Sequence, residues 1–244
     1  MSRVSTVVER DFRVFFADRF MLVIMFVNFM IDLGVSGLSL SAMLKNLGFS
    51  YFLYIAPGAN LVTATVASFQ SGRDVWRERI IQDTQQYLLT LPVGKSKFAV
   101  SRLFSGMLRT TLTTLPGTMV IALLYGLSFP LFLVGVLIML VYSGAVCGLS
   151  VTAASLANSL ELFATVRSTV QVYLSFFSTQ FYPSSILPPA VGTLSNFNPM
   201  TWAVQSFRVL QTGTVDFGLF VPLSLLSAML LAAGFLAYRR TMEY

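Results

Sequence analysis

Leu131–Leu156 reads LFLVGVLIMLVYSGAVCGLSVTAASL, a stretch without one charged side chain. A helix needs roughly 20 predominantly apolar residues to cross the hydrocarbon layer of a bilayer, and this run exceeds that length. Similar runs flank it on both sides, at 110–127 and 163–181, then at 51–71 and 20–44, with a last one at 217–238 that stops at Arg239–Arg240. Charged or Pro/Gly-marked breaks separate them. The chain is 55% hydrophobic and 11% charged, with a mean hydropathy of +0.75, more apolar surface than one water-soluble core can hide. Six spans in 244 residues leave no room for a soluble domain of ordinary size, roughly 100 residues or more. The expected fold is therefore an all-α membrane protein, one domain over residues 1–244, with six transmembrane helices.

The polar intervals set the topology. Residues 1–19 mix Arg3, Glu9, Arg10, Asp11, Arg13, Asp18 and Arg19 with Val7, Val8, Phe12, Val14, Phe15 and Phe16, which fits an N-terminal amphipathic helix at the membrane surface or an extension of the first span. Lys45–Ser50 is a turn, whereas 73–102 is the longest charge-rich segment. Residues 182–216 are broken by Pro183, Pro188, Pro189 and Pro199. With six spans both termini share a side, and fourteen of the sixteen Lys and Arg fall on that side, leaving only Lys45 and Arg208 opposite. The positive-inside rule then places both termini in the cytoplasm of a multi-pass protein of the cell membrane.

Several function classes are excluded or weakened. The net charge of +6 is spread over the ends of apolar runs rather than gathered on one soluble face, so it reads as a topology signal, not nucleic-acid binding. Cys147 is the single cysteine and there is no histidine, which removes an intramolecular disulfide, a cysteine metal cluster and the commonest general base. The charged residues before the first apolar run, and the lack of a small-residue cleavage site after it, argue that the first span is retained. Gly94-Lys95-Ser96 suggests a P-loop, but that motif requires glycine five positions before Gly94, where Leu89 stands. No ATPase site is expected in this chain, and no cofactor, metal or catalytic residue.

The order Phe181-Tyr182-Pro183, Leu187-Pro188, Asn198-Pro199-Met200-Thr201 and then Arg208 resembles the C-terminal signature of ABC-2-type transporter permeases, the membrane-spanning subunits of ABC exporters. A second resemblance lies in 73–102, where Arg77-Glu78-Arg79 followed by Leu88-Leu89-Thr90-Leu91-Pro92-Val93 is similar to the family's charged helix and its Leu-Leu-x-x-Pro-Val turn. The family's Gly-Thr-Leu-Glu box is replaced by Asp83-Thr84-Gln85-Gln86. The resemblance implies that 73–102 is a cytoplasmic coupling helix docking on a separate ABC ATPase, which binds ATP and Mg. Trp76, Arg77, Glu78, Arg79, Tyr87, Leu88 and Pro92 are its candidate contacts, though an amphipathic helix anchored on anionic lipid fits as well. It also implies that 182–216 forms extracytoplasmic re-entrant helices, an outer gate carrying Phe181, Pro183, Leu187, Pro188, Asn198, Pro199, Thr201 and Arg208, and that a second permease copy or sister permease completes the pathway. An ordinary external loop with surface helices is the other reading of 182–216.

Within the spans, Asp32 stands near the middle of the first, where an ionised carboxylate costs about 2.5 kcal/mol or more on insertion scales. It must face protein or water, as a pathway residue or a packing hydrogen-bond partner. The small residues Gly144, Ala145, Gly148 and Thr152 allow close helix approach, inside one subunit or between two. The expected function is export driven by ATP hydrolysed on the partner. An ATP-independent secondary transporter is the rival, followed by a membrane-embedded lipid-modifying enzyme and a purely structural protein.

Overall fold

The computed structural model of the chain describes residues 3–17, 19–43, 50–81, 94–183 and 188–242. Among the described residues all regular structure is helical: α1 (Arg3–Ala17), α2 (Arg19–Ile31), a π-helical turn (Asp32–Ser36), α3 (Gly37–Met43), α4 (Tyr51–Ile80), α5 (Lys95–Tyr125), α6 (Phe129–Leu156), α7 (Leu160–Phe176), α8 (Pro189–Asn196), α9 (Pro199–Leu210) and α10 (Phe217–Thr241). Five of these segments are long and apolar enough to cross a membrane: Leu22–Ser39, which runs through the π turn, then α4, α5, α6 and α10. The chain is a multi-pass membrane protein.

Two boundaries differ from those read off the apolar runs. Helix α4 continues past Ser71 to Ile80, and α5 begins at Lys95, well before Thr110. Apolarity marks where the lipid ends, not where the backbone stops being helical; Arg73, Asp74, Arg77, Glu78 and Arg79 suit a solvated helix and no Gly or Pro interrupts them after Gly72. Conversely, the segment expected to span at 163–181 is a helix of 17 residues that ends at Phe176. At 1.5 Å per residue it is about 25 Å long, short of a hydrocarbon layer about 30 Å thick.

Helix α6 is the centre of the bundle, packed by α10, α4, α5 and α9. Its small residues are used inside the subunit, against α10. A Cβ on Gly148 would collide with the Leu230 carbonyl and stand 2.7 Å from the Leu231 nitrogen, and one on Gly234 would stand 2.8 Å from the Gly148 carbonyl oxygen. Because lipid is as apolar as leucine, such backbone approach and interhelical hydrogen bonds replace the hydrophobic effect as the source of cohesion. The seam between α4, α5 and α6 shows the second device: Asn60 Nδ2 donates to Thr118 Oγ1 at 3.0 Å, Thr65 and Tyr142 hydroxyls meet at 2.7 Å, and those of Thr111 and Ser143 at 3.1 Å.

Pro57 in α4 lacks the N–H that would have bonded the Leu53 carbonyl. The hydroxyl of Tyr125 on α5 donates to that carbonyl instead, at 2.9 Å. Gly58, next in sequence, leaves the space into which the Gln180 side chain packs. This pair ties the turn after α7 to α4.

Candidate functional site

The charged ends of the long helices converge. Arg102 of α5, 7% exposed, donates from Nη1 to Asp11 of α1 at 2.8 Å and from Nη2 to Glu78 of α4. Arg10 adds a contact to Asp11 at 3.0 Å and one to Glu78 at 3.4 Å, so two guanidiniums and two carboxylates lock three helices together. Burial raises the pKa of Asp11, but Arg102 and Arg10 outweigh it and hold that carboxyl below the usual carboxylate range. Arg109 pairs with Asp74 at 3.1 Å while its guanidinium lies over the Phe15 ring of α1, 5.3 Å from the centroid.

The same end caps two helices. The last carbonyls of a helix have no partner within it and carry the negative end of its dipole. At the end of α6, Arg79 donates to the carbonyls of Ser155 and Ala157, and Trp76 Nε1 donates to Ala157 at 3.2 Å. Lys95 Nζ donates to the Met242 carbonyl, just past α10, at 2.7 Å. Of the sequence candidates for coupling, Trp76, Glu78 and Arg79 are thus engaged inside the chain, whereas Arg77 is exposed. Tyr87, Leu88 and Pro92 lie outside the described residues. The sequence reading missed Asp11 and Arg102 as a pair. Each looked like one more charge in a basic segment, since the residues between them place them on different helices.

At the opposite end of α4 the Pro-rich segment is organised by the residues that the motif singled out. Asn198 Oδ1 accepts from Met200 N at 2.9 Å and caps α9, with Pro199 in its first turn, where a missing N–H costs nothing. Asn198 Nδ2 meanwhile donates to the carbonyls of Tyr173 and Leu174 of α7, both at 3.1 Å. Thr201 Oγ1 accepts from Thr179 N at 3.3 Å and meets Ser195 Oγ at 3.1 Å. Arg208 reaches from α9 to α4: Nε and Nη2 donate to the Tyr54 carbonyl at 3.2 and 3.0 Å, Nη2 also donates to the Gln180 carbonyl at 3.1 Å, and the guanidinium sits 3.4 Å from the Tyr54 ring centroid. The Phe181 carbonyl accepts from Tyr51 Oη at 2.8 Å, and Phe181 packs on Phe176.

The structure therefore brings Phe181, Asn198, Pro199, Thr201 and Arg208 together at the ends of α4 and α7. Pro183 is half-buried beyond Phe181, Pro188 is exposed at the start of α8, and Leu187 lies outside the described residues. At 8 and 12 residues α8 and α9 are too short to cross a bilayer. Asp32 is exposed on the π turn and lines a cavity of about 200 Å³ between that turn, α4 and α7, which Gln180 and Phe181 of this assembly also line. A family model described as ABC-2 type transporter matches residues 2–212. No curated protein matches the chain.

Proposed function

The chain belongs to the ABC-2 type transporter family, and from that premise we propose that it is the permease half of an ABC exporter. Two permease subunits, copies or sisters, enclose the pathway, and a separate cytoplasmic ATPase binds ATP with its magnesium and hydrolyses it. In this reading α7 and the turn after it make the fifth of six crossings, the termini and the charged cluster face the cytoplasm of a cell membrane, and α8 and α9 dip into the outer leaflet as the gate.

The observation that carries the proposal is the build of α4 and α5. Both run beyond the apolar windows as continuous helices, and their charged ends are joined to α1 and to the ends of α6 and α10. A push on the chain between them, residues 81–94, is passed to the whole bundle rather than absorbed locally. A separate ATPase moves a permease only if its contacts differ between nucleotide states, and a stiff lever is what converts that difference into a shift of helices. At the far end of the same α4, Tyr54 and Tyr51 hold the gate segment, so one rigid helix links the two sites.

Recovery of a P-loop protein with the tagged permease from its own membranes tests the partner. Arg77→Glu, which reverses an exposed charge steering the docking surface, is expected to lower ATPase recovery at least about fivefold while the melting temperature stays unchanged. Glu78→Gln should do the opposite and lower the melting temperature first. Equal recovery with Arg77→Glu removes that face from the interface. A permease that transports with no ATPase at all would point to the ATP-independent rival, with Asp32 as its coupling group.

The gate is tested separately. Asn198→Ala deletes a helix cap, a change of about 1 kcal/mol in local stability, and frees two α7 carbonyls. Transport in proteoliposomes is expected to fall several-fold with the ATPase still bound. Full transport by this variant would count against a gate at α8 and α9.

A further inference from the structure

The cavity beside Asp32 is lined by two kinds of side chain. Ile55, Ala59 and Val62 of α4, with Phe176 and Phe181, are the apolar ones. Asp32 and Ser36 of the π turn and Gln171, Ser175 and Gln180 around the end of α7 supply the polar groups. At about 200 Å³ it is smaller than a drug-sized pocket, and Phe176 at its rim is exposed, so it suits the head and first carbons of a molecule whose remainder lies outside.

Three observations define the chemistry of that head. Asp32 is the one carboxylate in the lining, and it takes part in none of the described ion pairs. Gln180 is 3% exposed, yet its Oε1 has no hydrogen-bond partner among the described residues. Its backbone is held on both sides, N–H to Ser178 Oγ at 3.2 Å and carbonyl to Arg208, so the side chain is presented from a fixed base. Asp32 itself sits on a π-helical turn, an irregularity found often at functional sites because the extra residue re-aims side chains. Asp32 brings the one charge of the lining, and Ser36, Gln171, Ser175 and Gln180 add neutral groups that accept or donate hydrogen bonds. Neither Arg167 nor Arg208 lines it.

We propose that this cavity binds an apolar molecule carrying a protonated amine, whose ammonium is held by Asp32 and completed by the neutral polar groups of Ser36, Ser175 and Gln180, while its carbon chain lies against Ile55, Ala59 and Val62. The site disfavours anions because Asp32 would face them unpaired. It disfavours a bare divalent cation because half of its wall has no oxygen to offer such an ion. This rests on the permease reading for its role as the site of cargo, and the binding itself is measured without the ATPase.

The test is calorimetric titration of the purified permease in detergent at pH 7 with hexylamine, hexanol and hexanoate. Saturable binding is expected for the amine, with the alcohol and the carboxylate at least about tenfold weaker, the size of one charge-assisted hydrogen bond. Asp32→Asn, on an exposed turn, should reduce amine affinity by a similar factor, and Gln180→Leu several-fold, with melting temperatures recorded for both. Equal affinity for hexanol and hexylamine in the wild type, or amine binding unchanged in both variants, overturns the proposal and leaves the ATPase experiment untouched. Amine selectivity in a permease that recovers no ATPase would keep this site and sink the ATP-driven reading instead.

Discussion

Arg102→Ala is expected to destabilise the folded permease by about 3–5 kcal/mol, the usual cost of removing one partner from a buried charge cluster. The substitution leaves Asp11, 4% exposed, with only its neighbour Arg10, and leaves Glu78 with a single 3.4 Å contact to the same arginine. The penalty is the uncompensated charge, not the lost attraction, so pairing Arg102→Met with Asp11→Asn and Glu78→Gln should recover much of it. Unfolding followed in detergent by denaturant or heat measures both variants. A loss under about 1 kcal/mol for the single change would show that water reaches the cluster and that it does not lock α1, α4 and α5.

The same cluster sets a pH dependence of known sign. The carboxyl of Asp11 is held below its ordinary value in the folded chain, so between the two values the unfolded chain binds more protons and stability rises with pH. This contribution is complete above the unfolded carboxylate pKa of about 3.9 and is lost as the pH falls through the lower folded value. Melting temperature should be flat from this source between about pH 5 and 8 and fall below about pH 4. Asp11→Asn should flatten that acid limb.

Gly148→Ala is expected to be the most damaging one-carbon addition in the membrane, at about 3 kcal/mol or more, the upper end for overpacking. The new methyl would meet backbone of α10 at Leu230 and Leu231, and backbone cannot rotate away as a side chain does. Helix α10 would have to lift off α6, opening the contact that also seats Gly234 on the Gly148 carbonyl. Gly192→Ala on α8 is the control, since nothing lies within 4 Å of the added carbon there, and it should change stability by no more than about 1 kcal/mol. If Gly148→Ala dissociated a dimer while each subunit kept its melting temperature, the small-residue stripe would belong to an interface between subunits instead.

Some of this was legible in the residues. The apolar runs located α4, α5, α6 and α10, because mean composition over some 20 residues is what lipid selects. The order of Phe181, Asn198, Thr201 and Arg208 marked residues that do meet in space, although their roles in a gate are a proposal. The boundaries were less legible. Hydropathy could not report that α4 runs on to Ile80, nor that α7 stops at Phe176, because helix continuation depends on local hydrogen bonding and capping rather than on apolarity. Glu78 and Arg79 illustrate the limit for charges: exposed docking residues and internal clasps have the same composition, and their partners Arg102, Ser155 and Ala157 are remote in sequence.

By itself, then, the sequence determined the solvent. A chain this apolar, with its charges at the ends of its runs, has to be a helical membrane protein, since only helices and closed barrels satisfy their backbone in lipid and unbroken apolar runs of some 20 residues are the length of a helix, not of a barrel strand. Tertiary structure alone decided which groups answer one another. Asp11 finds Arg102, Tyr125 finds the carbonyl released by Pro57, and Gln180, whose Oε1 has no partner among the described residues, lines one cavity with Asp32. Those matches depend on distances between helices, which no window along the chain contains.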